Sequence, residues 1–136
     1  MDIIVSKEKG HEAIAVIKVV GQLDGQTYQQ LIDVARKEFE AGSKSFLLDL
    51  SELSYISSAG LVSLHTLALI LQGTPLPNSE EGWNTLKSMD RTRESGKQKN
   101  IKLLNPQDQV TSVLDMVGFS SLFDVFTDKQ QALDSF

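Results

Sequence analysis

Cysteine is absent from this 136-residue chain, so neither disulfides nor thiol chemistry are available to it. That absence agrees with a cytoplasmic location, where thiols stay reduced. Long apolar runs are lacking too. Even one of the longest, Leu67 to Leu71, is far too short to span a bilayer, and no membrane contact is expected. Met1-Asp2-Ile3-Ile4-Val5-Ser6-Lys7 has no basic start followed by an apolar run, so no signal peptide is expected. Positive charge is in deficit, with 13 Lys and Arg against 18 Asp and Glu and a net charge of −5. Such a chain repels the phosphate backbone, which disfavours direct nucleic-acid binding. The basic residues that do cluster, Arg91, Arg93, Lys97, Lys99 and Lys102, lack interleaved aromatics and read as a solvated loop.

What is present suits one soluble domain with a modest core, at 40% hydrophobic and 23% charged residues. Residues 2–5 and 13–20 are β-rich, and Ile14, Val16, Ile17, Val19 and Val20 suggest a strand buried on at least one face. From Gln26 the period changes. Tyr28, Leu31, Ile32, Ala35 and Phe39 line one face of a helix, with Asp24 as N-cap and Gly42 as the stop. Ser45 to Leu50 is a nearly continuous apolar run, typical of an interior strand. A loop over 51–60 then leads to a helix from about Ala59 to Leu71, apolar almost all round and expected to be well buried.

Residues 73–99 read as an insertion rich in Gly, Pro and charge. Asn78 and Glu81 have capping-box spacing, so a short helix carrying Trp83, Leu86 and Met89 and an irregular loop are both open readings. The preceding helix is roughly 20 Å long at 1.5 Å per residue, and the insertion leaves from its far end. Beyond it, Ile101 to Leu104 form a strand, and Val110, Val113, Leu114 and Val117 mark a helix that stops at Gly118. Leu122 to Phe126 read as a last strand and Lys129 to Phe136 as a last helix. The expected fold is α/β, a mixed sheet packed with about four helices in the order β-β-α-β-α-β-α-β-α.

No catalytic set assembles. His11 and His65 are the only histidines, the first without a partner for a zinc motif and the second among apolar neighbours. No P-loop, dinucleotide-binding glycine pattern or Gly-x-Ser-x-Gly occurs, so neither cofactor nor nucleophile is expected. The informative stretch is Asp49 to Leu61, where a buried strand gives way to a polar loop and then to two serines at a helix start. Unpaired N–H groups and the positive dipole end stabilise a phosphate there, and modification would change the surface rather than the core. Serine before a helix is also the commonest N-cap, and Gly60 can simply relieve crowding near the sheet.

Gly21-Gln22-Leu23-Asp24, Asp49-Leu50-Ser51 with Ile56-Ser57-Ser58-Ala59-Gly60-Leu61, and Val113 to Phe119 occur in the order found in a known family. By these motifs the chain resembles the STAS domain, or anti-sigma factor antagonist, family, nearly throughout apart from 73–99. The resemblance implies a single STAS domain over 1–136. It implies that Ser58 is phosphorylated by an anti-sigma factor serine kinase, that the unmodified form binds that kinase and frees a sigma factor, and that a phosphatase resets the switch. It places an acidic residue, Asp24, beside the serine, to orient the hydroxyl and later repel the phosphate. The implied docking surface is Leu23, Asp24, Thr27, Ser57, Ser58, Ala59, Gly60 and Leu61. Two positions depart from the family pattern: Ser57 stands where an acidic residue is frequent and becomes a competing target, and Ala59 stands where Ser or Thr is common. The alternative is a STAS module used without phosphorylation, as a subunit of a larger assembly or transporter or as a small-ligand sensor.

Overall fold

Side-chain alternation along one long strand explains the layering of the computed structural model, which describes residues 2–9, 13–71, 98–119 and 123–136. Strand β2 (Ala13–Leu23) sends Ala15, Ile17 and Val19 to one face of the sheet and Ile14 and Val16 to the other. Strands β3 (Ser45–Asp49) and β5 (Gln98–Leu104) repeat the division. Phe46, Leu48, Ile101 and Leu103 join the first face, and Leu47 and Leu104 the second. Both faces are therefore apolar, and each must be covered.

The first face is covered by α1 (Tyr28–Glu40), α2 (Ser58–Leu71) and α3 (Asp108–Met116). Leu31, Ile32 and Ala35 of α1, Leu61, Leu64 and Leu67 of α2, and Val110 and Leu114 of α3 complete the main core. Each leucine, isoleucine or valine among them, fully buried, contributes about 1.5–3 kcal/mol. On the second face, among the described residues, lies the short α4 (Lys129–Asp134), which sets Ala132 and Leu133 on Ile14, Val16, Leu47 and Leu104.

In the sheet the strands run β1-β2-β3-β5-β6, with β1 (Asp2–Lys9) and β6 (Phe123–Phe126) at its edges. β1 is antiparallel to β2, and the remaining pairs are parallel. The mixed α/β architecture expected from the sequence is thus the one found.

Three details differ. Residues 53–56, expected within a loop, form a short strand, β4 (Leu53–Ile56), which pairs with the end of β2. The first long helix begins at Tyr28 rather than Gln26, because Asp24 to Thr27 close a turn ahead of it. Lys102, grouped with a solvated basic loop, lies buried in β5. Its ammonium donates to Ser135 O (3.1 Å) and Ser135 Oγ (2.9 Å) and lies over the rings of Phe126 and Phe136.

Gly42 ends α1 as expected. At φ +110° it lets its own N–H reach Phe39 O and the Ser43 N–H reach Glu38 O, satisfying carbonyls that a helix end leaves open. The insertion expected at 73–99, with its capping box and Trp83, lies outside the described residues. Only its last two positions, 98 and 99, are described, and they begin β5.

Candidate functional site

At the C-terminal end of β2 three segments converge: the 24–27 turn, β4, and the first turn of α2. Asp24 and Thr27 hold the turn reciprocally. The Asp24 N–H donates to Thr27 Oγ1 (2.9 Å) and Asp24 Oδ1 accepts from the Gln26 N–H (2.9 Å), while the Thr27 hydroxyl shares its proton between Gln22 O (2.9 Å) and Asp24 Oδ1 (3.2 Å). The Asp24 carbonyl takes the N–H groups of Thr27 and Tyr28. The N-cap of α1 is therefore Thr27, with no side-chain cap bond, and not Asp24 as expected; the Asp24 carboxylate instead closes the turn just ahead of the helix through the Gln26 N–H.

One residue earlier, Leu23 joins this turn to α2. Its carbonyl accepts the Ser57 N–H at 2.9 Å, and its side chain is fully buried. Gly60 is the other half of the junction. A Cβ there would meet Leu23 O and Ile56 Cγ1, each at 2.7 Å, so only glycine lets the helix come this close to the strand. The reading of Gly60 as relief of crowding near the sheet is what the packing requires.

The two adjacent serines divide the work. Ser57 is the N-cap of α2. Its carbonyl accepts the Leu61 N–H at 3.0 Å, and its Oγ receives the Gly60 N–H in a long contact of 3.4 Å. Ser58 is the first residue of the helix and is exposed, and its hydroxyl makes no hydrogen bond to any described residue. No acidic residue occupies the first turn of α2, so the positive end of the helix dipole there is not offset from within the helix.

Of the residues expected to form the site, Ser58 is exposed, Asp24, Thr27, Ser57 and Ala59 are half-buried, and Leu23, Gly60 and Leu61 are buried. The buried three therefore position the surface rather than present side chains on it. The carboxylate of Asp24 is committed to its own turn, and no hydrogen bond joins it to Ser58.

Behind the first turn, α2 is buried nearly all round. Ser63 and Thr66 satisfy their hydroxyls on the helix backbone, at Gly60 O and Val62 O. His65 is fully buried, and desolvation lowers its pKa below the ordinary histidine value. It is therefore a neutral core residue at physiological pH. His11 lies outside the described residues. Among the described residues, no three His, Asp or Glu side chains gather as a metal site, and no helix is long and apolar enough to cross a membrane.

Sequence reasoning missed Tyr55, half of which faces solvent beside this junction. The available signal was an aromatic three residues before the candidate serine, in a stretch otherwise read as loop.

Residues 6–72 match the family model of the STAS domain. No curated protein sequence matches the chain. Among solved structures it is similar to the anti-sigma factor antagonist SpoIIAA in its unphosphorylated form, at 16% identity and a TM-score of 0.63, over 96% of this chain and 94% of that one. An anti-sigma factor antagonist from Mycobacterium paratuberculosis gives 16% identity and a TM-score of 0.63 over 97% and 92%. The Bacillus cell fate determinant SpoIIAA in its phosphorylated form gives 16% and 0.50 over 96% and 97%. At such identities the likeness to these structures establishes the fold.

Proposed function

The chain carries a STAS domain and has the fold of the anti-sigma factor antagonists, and from that premise we propose that it is a phosphorylation-gated binding protein rather than an enzyme. Unmodified, it docks on an anti-sigma factor kinase in the cytoplasm and so releases a sigma factor for transcription. Phosphorylation of Ser58 by that kinase ends the docking, and a phosphatase restores it. The protein does not contact nucleic acid itself, in keeping with its net charge of −5.

The observation that carries this reading is the division of labour between Ser57 and Ser58. The cap of α2 is made by Ser57, so modification of Ser58 costs the helix nothing. A phosphate on an exposed first-turn residue stays in water, close to the positive end of the helix dipole. It adds about −1.5 to −2 charges to the surface without disturbing the core. A partner covering that position must then bury the charge, at a cost of several kcal/mol if no cation answers it. The relative SpoIIAA has been solved in both unphosphorylated and phosphorylated forms, which supports a gate of this kind.

Intact-protein mass spectrometry with site mapping, on protein isolated from its native host under growth and under stress, tests the proposal. A single phosphate on Ser58 whose occupancy changes with condition is the expected result. Phosphate confined to Ser57, or none under any condition, sinks it.

A further inference from the structure

Strand β4 does not alternate as a strand should. Leu53 and Ile56 are both buried, and the two residues between them, Ser54 and Tyr55, are both exposed. The cause is a β-bulge. Gly21 pairs with Leu53 and the next residue, Gln22, pairs with Tyr55, so Ser54 is an extra residue in the ladder. Its hydroxyl ties the bulge down by donating to Gly21 O at 3.0 Å. In a regular ladder with Ser54 paired, strict alternation would turn Tyr55 toward the face that Leu53 occupies. With it, the ring is 49% exposed, and its hydroxyl engages no described residue. Bulges at sheet edges commonly re-aim one side chain; here that side chain is an aromatic at the rim of the Ser58 site.

We infer that Tyr55 is the apolar anchor of the same docking surface, inserting its ring into an apolar cleft on the kinase that Ser58 gates; this rests on the proposed function. Area supports the assignment to that partner. Three residue steps lead from Tyr55 to Ser58, a span of at most about 10 Å. A standard interface covers about 800 Å² on each partner, a disc of roughly 16 Å radius. A partner centred on Ser58 therefore also covers Tyr55. Tyrosine is enriched among the residues that dominate such interfaces, because it brings a large apolar surface with few torsions to freeze.

The two residues then play separable parts. Tyr55 supplies affinity that is independent of charge, and Ser58 supplies the gate.

The test uses the kinase retained from host extract by immobilised, unmodified wild-type protein, purified and titrated against variants. Tyr55→Ser is expected to weaken binding by about 30-fold or more, the range of a dominant interface residue, mostly through faster dissociation. Tyr55→Phe should stay within about threefold, since the ring is kept and the hydroxyl is worth at most a modest hydrogen bond. The ratio of affinities between each protein and its Ser58→Asp form should be the same with Tyr55 as with Tyr55→Phe. A photo-crosslinkable benzoylphenylalanine at position 55, in otherwise wild-type protein, should attach to the same kinase and fail to do so in the Ser58→Asp background. Wild-type affinity in a folded Tyr55→Ser protein, or no crosslink from position 55, with Ser58→Asp still releasing the kinase, overturns the role of Tyr55 and leaves the proposed function standing. A wild-type protein that retains no kinase overturns both.

Discussion

Gly60 and Leu23 approach so closely that a single added methyl group on the glycine would stand 2.7 Å from the leucine carbonyl oxygen. That oxygen is already committed to the Ser57 N–H and cannot swing aside without loosening the cap of α2. The spacing of the whole candidate site is set at this contact.

Gly60→Ala is accordingly expected to destabilise the protein, by about 1–3 kcal/mol, the usual cost of overpacking. Better helix propensity returns at most about 1 kcal/mol, so the sign stays unfavourable. Urea unfolding measures it. A midpoint equal to or above wild type would show that α2 can shift at no cost, contrary to the packing described.

Ser57→Ala removes the long cap contact to the Gly60 N–H but keeps the backbone bond from Leu61. The expected loss is about 0.5–1 kcal/mol, the low end for an N-cap. Phosphorylation at Ser58 should persist. Should Ser57→Ala abolish phosphate incorporation in a folded protein, the assignment of the two serines would have to be reversed.

His65 gives a pH dependence with a definite sign. Its folded-state pKa lies below the ordinary value of 6.5 because burial penalises the charged ring. Between the two values the unfolded chain binds more protons, so stability rises with pH across that window. It falls as the pH drops below about 6.5, by up to ~1.4 kcal/mol per pH unit from this one group. In His65→Leu that share of the slope should vanish, whatever the offset at neutral pH. Unfolding curves from pH 7.5 to 5 compare the two, and parallel profiles would exclude His65 as the source.

Lys102 is expected to hold the last helix down. Lys102→Ala removes the donors to Ser135 and the cation over two rings, leaving the short α4 the apolar contacts of Ala132 and Leu133 and an exposed ion pair from Lys129 to Glu8. A helix of this length is not stable by itself. Amide exchange within 129–134 should accelerate about tenfold or more, a local opening made easier by about 1.4 kcal/mol. Exchange elsewhere should hardly change. Unaltered protection of α4 would mean that Lys102 is a passenger.

The parts legible in the sequence were those governed by periodicity over many residues. The apolar run at 45–50, the helical face from Tyr28 to Phe39 and the stop at Gly42 depend only on near neighbours. β4 was not legible, because a very short strand with a bulge keeps neither alternation nor composition long enough to be read. Nor was the burial of Lys102, which depends on Ser135, 33 residues away along the chain. The two serines could be found as a pair from sequence. Telling cap from free hydroxyl required knowing which carbonyl the Leu61 N–H reaches.

The near-complete burial of α2 has a consequence for how such a protein can diversify. A helix with almost no solvent-facing side offers few positions where sequence can drift without harm to the core. New partner preferences must then be written elsewhere, in the 24–27 turn and along β4, whose exposed residues can change at little cost to folding. An engineer wishing to redirect the protein to another partner should randomise Gln26 and Tyr55, keep the Ser54 hydroxyl that ties down the bulge, and leave the helix that bears Ser58 untouched.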